Sequence, residues 1–241
     1  MEIITSLENK KIKNLSKLLN KKYRDEENKF LVEGEHLVEE ASKAGLLIEI
    51  IKCEDYLIDY NVPTTLVTYE VIRKLSNTQN PQKVMGVCKK QEEKEIGNKV
   101  LILEDLQDPG NLGTIIRSSV AFNVDTIIVS NNTVDIYNDK VLRSSEGMLF
   151  HINLVKKDVS QLIDELHENG YVVYGTKVDG GTNLKDIVVP EKCAIVMGNE
   201  GAGVKLDTLS KCDKYMYIPM NSNCESLNVG VATSIILYEL F

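Results

Sequence analysis

Three short polar stretches in the second half of the chain carry the residue types that chemistry needs. The first is Glu104-Asp105-Leu106-Gln107-Asp108-Pro109-Gly110-Asn111, running into Leu112-Gly113-Thr114-Ile115-Ile116-Arg117. Asp108 is placed to cap a helix and Pro109 suits a first helical turn. Leu112, Ile116 and Val120 make an apolar stripe, and Arg117 flanks it. A guanidinium there is either buried with a partner, aimed into a cleft, or engaged in a surface ion pair. The second stretch is Met197-Gly198-Asn199-Glu200-Gly201-Ala202-Gly203-Val204. Its glycines allow a ligand close approach to the backbone, or simply make a turn. It is neither a P-loop nor G-x-G-x-x-G, and Glu200 reads equally as a helix-start carboxylate. The third runs from Tyr217-Ile218-Pro219-Met220 to Glu225-Ser226-Leu227-Asn228, ahead of a largely apolar tail ending at Phe241. Ser226 and Asn228 are capping residues on the plainest reading. Each stretch follows a run of apolar residues, so together they are expected to form one composite site.

The elements that position them are legible as runs. Val100-Leu101-Ile102-Leu103, Thr126–Val129, Tyr171–Tyr174 and Ala194–Met197 are continuous apolar strands, and helical patterns at 111–122 and 159–168 alternate with them. Such runs predict a parallel sheet covered on both faces, with ligands beyond the carboxyl ends of its strands. A tail helix as apolar as 226–241 is expected inside the fold or in an interface. Before position 90 a smaller α/β unit is expected: a helical pattern over 6–22, strands at Phe30–Val32, Ile48–Ile51, Leu66-Val67 and Val84–Val87, a helix from Gly34 to Ala44 stopped by Gly45, and a helical turn from Val71 to Leu75. The charged stretch 91–99 reads as a linker, giving domains 1–90 and 100–241.

Composition narrows the classes. The 241 residues are 43% hydrophobic with a net charge of −8, which fits a globular chain of one or two domains. There is no apolar run long enough to span a membrane and no basic-then-apolar leader, so neither membrane association nor secretion is expected. Five cysteines without C-x-x-C spacing fit reduced thiols in a cytoplasm, and three separated histidines make a metal site unexpected. The acidic total hides a basic segment. Lys10, Lys11, Lys13, Lys17, Lys21, Lys22 and Arg24 stand against only Glu2 and Glu8 in residues 1–24, a pattern that suits either a phosphate contact or a solvated helix face.

Taken together, Asn111-Leu112-Gly113-Thr114-Ile115-Ile116-Arg117, Gly198-Asn199-Glu200-Gly201-Ala202-Gly203 and Ile218-Pro219-Met220 with Glu225-Ser226-Leu227-Asn228-Val229 resemble the three motifs of the SpoU branch of the SPOUT methyltransferases. Val141-Leu142-Arg143-Ser144-Ser145-Glu146-Gly147 resembles an intermediate stretch of that family, and Lys29–Gly34 resembles the signature of its N-terminal substrate-binding domain, related to a ribosomal protein fold. The similarity covers about 100–241; Asn221–Cys224 departs from the usual loop. The resemblance implies an α/β fold with a C-terminal parallel-sheet α/β-knot (a deep trefoil) and a small N-terminal α/β domain that binds RNA. It implies methyl transfer from S-adenosylmethionine to a ribose 2′-hydroxyl, with rRNA favoured over tRNA, in a homodimer. It places the adenosyl group on Met197, Gly198, Asn199, Gly203, Ile218, Met220 and Leu227. Asn111, Arg117, Glu200, Ser226 and Asn228 become the catalytic set, with Arg117 either general base or, since a guanidinium stays protonated, anchor of the adjacent phosphate and stabiliser of a developing alkoxide. RNA contact falls to the basic segment from Lys10 to Arg24 and to Arg143. The rival readings are a catalytically silent RNA-binding member of the same fold and a nucleotide-binding oxidoreductase, the latter lacking its glycine fingerprint.

Overall fold

The computed structural model describes residues 2–241, so residue 1 of the expected 1–90 domain lies outside the described residues. The chain divides into two compact units, one formed by residues up to Glu92 with Tyr137–Phe150, the other by Glu93–Ile136 with His151–Phe241.

The first unit contains α1 (Lys10–Lys17), α2 (Lys21–Glu27), β1 (Lys29–Glu33), α3 (Glu35–Lys43), β2 (Leu47–Cys53), β3 (Thr64–Val67), α4 (Tyr69–Leu75) and β4 (Val84–Lys89). Its sheet has the order β1-β4-β2-β3, antiparallel except for the β2–β3 pair. Ile12, Leu15 and Leu18 pack with Ile51, Val71, Ile72, Leu75, Met85 and Val87 into one core. The helical pattern over 6–22 breaks in two. Asn9 caps α1 and Asn20 caps α2, each accepting an amide N–H on its side chain. Arg24 explains the break: it is 7% exposed, and its Nη1 donates to the carbonyls of Leu18 at 2.8 Å and Leu19 at 2.9 Å, beyond the end of α1. The stretch 137–150, kept with the C-terminal domain by the sequence pattern, joins this unit instead, where the Phe30 ring meets Tyr137 at 4.7 Å and Phe150 at 6.1 Å.

The second unit is built from β5 (Lys99–Leu103), α5 (Pro109–Ala121), β6 (Thr126–Val129), β7 (Asn153–Lys156), α7 (Val159–Glu168), β8 (Val172–Thr176), β9 (Thr182–Asn183), β10 (Cys193–Met197), α8 (Leu206–Lys211), β11 (Lys214–Tyr217) and α9 (Val229–Leu240); α6 (Asp139–Ser144) belongs to the first. The seven strands run in the order β7-β6-β5-β10-β8-β11-β9 and every pairing is parallel. The apolar runs of β5, β6 and β10 are buried on both sides of the sheet, which is why they show no alternation. Val100, Ile102, Ile128, Val173 and Val196 pack with Val159, Leu162, Ile163 and Leu166 of α7. The residues before β5 are tied down, with the Lys94 amide donating to the Asn153 side chain at 3.0 Å and the Gly97 amide to Thr126 Oγ1 at 3.1 Å. Among the described residues no helix is long and apolar enough to cross a membrane.

Strand order sets the place of the site. From β5 the chain steps outward through β6 to β7, crosses over, and returns to insert β10 between β5 and β8 and β11 between β8 and β9. The loops leaving β5 and β10 therefore exit side by side where the direction of winding reverses, the position at which open parallel sheets take ligands. Leu162 is fully buried in this core. Leu162→Ala is expected to destabilise the protein by about 2–5 kcal/mol, read as a lowered denaturation midpoint with unchanged slope.

Candidate active site

The three polar loops meet. The Glu200 carboxylate accepts the backbone N–H of Gln107 at 3.3 Å and of Asp108 at 3.1 Å, and the Asn111 side-chain amide at 3.2 Å. Asn111 Oδ1 accepts Nδ2 of Asn228 at 2.9 Å, and Asn228 Oδ1 accepts the N–H of Gly230 at 2.9 Å at the start of α9. One hydrogen-bonded line thus joins the loop after β10, the mouth of α5 and the mouth of α9. Asp108 caps α5 through the Asn111 amide at 2.8 Å, with Pro109 in the first turn, as its sequence suggests. Burial would push the Glu200 carboxyl up, but hydrogen bonds from its own amide, from Asp108, Asn111 and Gln107 outweigh it and hold the group below its ordinary value of 4.5.

The 198–204 loop is a tight hairpin. Asn199 and Gly203 exchange backbone hydrogen bonds of 3.0 and 2.9 Å, and Gly203 has φ +69°. A Cβ at Gly198 would lie 2.0 Å from the Gly203 carbonyl carbon and 2.1 Å from the Val204 nitrogen, so no other residue fits. The Asn199 side chain donates to the Asp105 carbonyl at 2.8 Å and accepts the Gly201 amide at 2.9 Å, pinning this hairpin to the loop after β5.

A second set of groups, to which the sequence pattern assigned no role, holds the same two loops together. Glu104 is 3% exposed and accepts Thr208 Oγ1 at 2.5 Å and the Lys205 amide at 2.9 Å. Asp105, at φ +56°, takes the Lys205 ammonium at 2.6 Å and the Ser130 hydroxyl at 2.6 Å. Burial alone would raise the Asp105 carboxyl, yet Lys205 and Ser130 keep it below its ordinary value. The available signal was the acidic pair Glu104-Asp105 directly after a wholly apolar strand, because a carboxylate so placed must find partners.

The remaining candidates divide by exposure. Met197 is buried, and Ile218, Met220 and Leu227 are half-buried. Ile218 and Leu227 take part in no backbone hydrogen bond of the turns and loops among the described residues. The Ser226 hydroxyl is exposed and has no partner among the described residues; only its carbonyl is used, accepting Cys224 Sγ at 3.3 Å. Arg117 is exposed on α5 and makes no hydrogen bond or ion pair among the described residues, which removes the buried and surface-ion-pair alternatives. The tail helix is less deep than its composition suggests. Val229, Gly230, Thr233, Ile236 and Leu237 face inward, and Ser234 meets Ser118 of α5 at 2.7 Å, but Val231, Ile235 and Tyr238 are 47, 38 and 73% exposed.

The basic residues of the first unit also divide. Lys11 is paired with Glu49, Lys13 with Glu8, Lys21 with Asp25 at 3.4 Å and Lys22 with Glu26 at 3.8 Å. Arg143 holds Asp139 at 3.0 Å. Arg24, spent on backbone carbonyls and buried, is corrected from RNA contact to helix-end support. Lys10 has no polar partner among the described residues, and Lys17 only the Asn14 side chain at 3.3 Å.

Two outcomes follow from this geometry. Gly198→Ala should cost at least tenfold in amide-exchange protection at Asn199 and Gly203, since the added methyl meets backbone; unchanged protection would contradict the tight hairpin. Because the Glu200 and Asp105 carboxyls are depressed in the folded state, their contribution to stability is complete above their ordinary values and lost as pH falls through the lower, folded ones. The thermal midpoint of the wild type should therefore fall more steeply below about pH 4.5 than that of Glu200→Gln.

Comparison with known proteins places this arrangement. Residues 98–238 match the family model described as SpoU rRNA Methylase family, and residues 9–86 match the MRM3-like substrate binding domain. The 23S rRNA (guanosine(2553)-2′-O)-methyltransferase RlmP of Bacillus subtilis (strain 168) is 40% identical over 246 residues, covering 100% of this chain and 99% of that protein. The AdoMet-bound rRNA methyltransferase from Sinorhizobium meliloti superposes with a TM-score of 0.87 at 27% identity, over 99% of this chain and 96% of that one. The SpoU methyltransferase AviRb from Streptomyces viridochromogenes, at 24% identity, TM-score 0.85 and 96% coverage of both chains, has the same fold. With its motif loops joined through Glu200, Asn111 and Asn228, and with this family model spanning more than half its length, the chain belongs to the SpoU rRNA methylase family.

Proposed function

We propose that this S-adenosylmethionine-dependent RNA methyltransferase acts on a ribose 2′-hydroxyl of 23S rRNA. The observation that carries the reading is the line from Glu200 through Asn111 to Asn228, with Arg117, whose side chain has no partner among the described residues, on the helix whose first turn holds Asn111. The full-length relative named as a 23S rRNA 2′-O-methyltransferase supports the substrate. An rRNA substrate carries with it a cytoplasmic location.

In this reading the peptide groups of Gly198, Ile218 and Leu227 hold the adenosyl moiety, with Met197, Asn199, Gly203 and Met220 lining it. The cofactor supplies a methyl group on a sulfonium. Asn111, Glu200, Ser226 and Asn228 orient the ribose so that its 2′-oxygen lies in line with the bond to be broken. Arg117 keeps its charge, grips the adjoining phosphate and stabilises negative charge growing on the 2′-oxygen, whose proton passes to water at this exposed rim. Its exposure and its lack of a carboxylate partner suit a group awaiting an anion.

Three further readings go with this one. The return of β10 and β11 into the interior of the strand order, with α9 packed on α5, supports a C-terminal segment threaded as a trefoil knot. The exposed apolar stripe Val231, Ile235 and Tyr238 supports a homodimer that covers it. The first unit is the RNA-binding domain, contacting RNA through Lys10 and Lys17, the lysines of the basic segment that hold no carboxylate among the described residues, and through Arg143.

Transfer of tritiated methyl to rRNA and tRNA from a deletion strain, followed by mapping of 2′-O-methyl sites, tests the assignment. Label in 23S rRNA at a single ribose is expected; label confined to tRNA, or none, overturns it. Arg117→Ala should lower turnover at least a thousandfold while cofactor affinity stays within a few-fold; near-normal turnover would remove Arg117 from the chemistry.

A further inference from the structure

Beside α1, a groove of about 670 Å³ opens between that helix and the sheet of the first unit, within the roughly 300–1,000 Å³ usual for ligand clefts. Lys10, Lys17 and Lys29 line it, with the Asn9 and Asn14 amides at its edge. Leu15, Leu18 and Val87 form its floor and are buried. These three lysines differ from their neighbours. Lys11, Lys13, Lys21, Lys22, Lys43 and Lys90 each hold a carboxylate. The ammoniums of Lys10 and Lys29 have no hydrogen bond or ion pair among the described residues, and that of Lys17 has only the neutral Asn14 oxygen at 3.3 Å and the face of Tyr23 at 5.7 Å. Lys29 is half-buried as well, and no anion faces its ammonium among the described residues.

We propose that this groove is the seat of a ribose–phosphate strand of the substrate RNA, with Lys10, Lys17 and Lys29 meeting successive phosphates. The inference rests on the reading that the chain acts on RNA and names where, within the first unit, the backbone lies. The groove is lined by no aromatic ring, so it offers no platform for base stacking. Recognition here is of the charged backbone, with the Nδ2 groups of Asn9 and Asn14, whose oxygens are taken by the Lys11 amide and Lys17, left to donate to sugar or base edges, and is tolerant of sequence. Two carboxylates also line the groove. Glu49 is neutralised by Lys11 and bonded by Thr65. Glu27, exposed and without a partner among the described residues, opposes a phosphate and weakens the site as it stands.

The opposite signs of these groups make the test two-sided. Binding of a 23S rRNA transcript to the full-length protein is measured by fluorescence anisotropy across salt concentrations. Lys10→Gln/Lys17→Gln/Lys29→Gln should weaken binding at least tenfold and flatten the log–log salt slope by about two, at roughly 0.7 per single-strand phosphate contact. Glu27→Gln should tighten binding two- to threefold. The charge-matched Lys13→Gln/Lys21→Gln/Lys22→Gln variant should change affinity no more than threefold. Wild-type affinity and slope in the groove variant, or a larger loss in the charge-matched one, overturns the groove. Should the groove variant fail to fold by circular dichroism, Glu27→Gln decides alone, and no gain overturns the proposal. A wild-type protein that binds no rRNA overturns the RNA reading itself, a different result from wild-type binding that the groove variant leaves intact.

Discussion

The second unit is organised around a carboxylate that can only accept and a helix start that can only donate. Glu200 stands at one end of the line and the Gly230 N–H at the other, with Asn111 and Asn228 between them. Side-chain amides have a donor end and an acceptor end, and in isolation either could face either way. Here both ends of the line are fixed, so both amides are fixed. Asn111 must give its NH₂ to Glu200, which leaves its oxygen for Asn228; Asn228 must then turn its oxygen toward α9. The rotamers of residues 89 positions apart in the first link and 117 apart in the second are thereby set by a single directional rule. Weak as each surface hydrogen bond is, the line gives a polar rim of defined direction, which a substrate hydroxyl needs and a mobile loop would not provide.

Helix electrostatics reinforce this arrangement. Both α5 and α9 begin at the line, capped by Asp108 and Asn228, so two helix N-termini present partial positive charge near Glu200. The carboxylate remains ionised there despite partial burial, as its lowered pKa requires. Arg117 projects from α5 beyond this balance with its own charge unmatched. Glu104 and Asp105 serve a different end. With Lys205, Thr208 and Ser130 they lock the loop after β5 to the start of α8, and so hold the hairpin 198–204 from behind. The rim facing outward is tied by neutral amides, while the support beneath is tied by charge.

How much of this could be read from residues alone depends on the range of the interaction. The strands of the large sheet were legible because burial on both faces leaves an uninterrupted apolar run, as at Val100–Leu103 and Ala194–Met197. The caps Asp108 and Asn228 were legible because they act within three residues. Three features were not. The split between α1 and α2 depends on Arg24 reaching back to Leu18 and Leu19, against an apolar period that runs on unbroken. The attachment of 137–150 to the first unit depends on rings more than 100 residues apart in the chain, Phe30 against Tyr137 and Phe150. The open face of α9 follows from where α5 stops covering it, and composition averages over both faces of a helix: Val231 and Leu237 look alike in sequence and differ wholly in burial.

Charge needs the same distinction between sum and place. A net charge of −8 would argue against a polyanionic partner if charges acted at the centre of the molecule. At 0.15 M salt they act over about 8 Å, so what an approaching phosphate meets is the local balance. On the first unit most lysines are matched by a carboxylate within ion-pair reach, and each such pair is nearly silent at a distance. Such pairs add nothing to the net charge, so the −8 is carried by carboxylates in excess of the 28 lysines and arginines. Among the cations left over, Lys10 and Lys17 on α1 and Lys29 on β1 line one groove, while Lys89 and Arg73 lie outside its lining. An acidic protein can hold RNA on such a surface because the pairing that silences its other lysines also removes competing places for phosphate to settle.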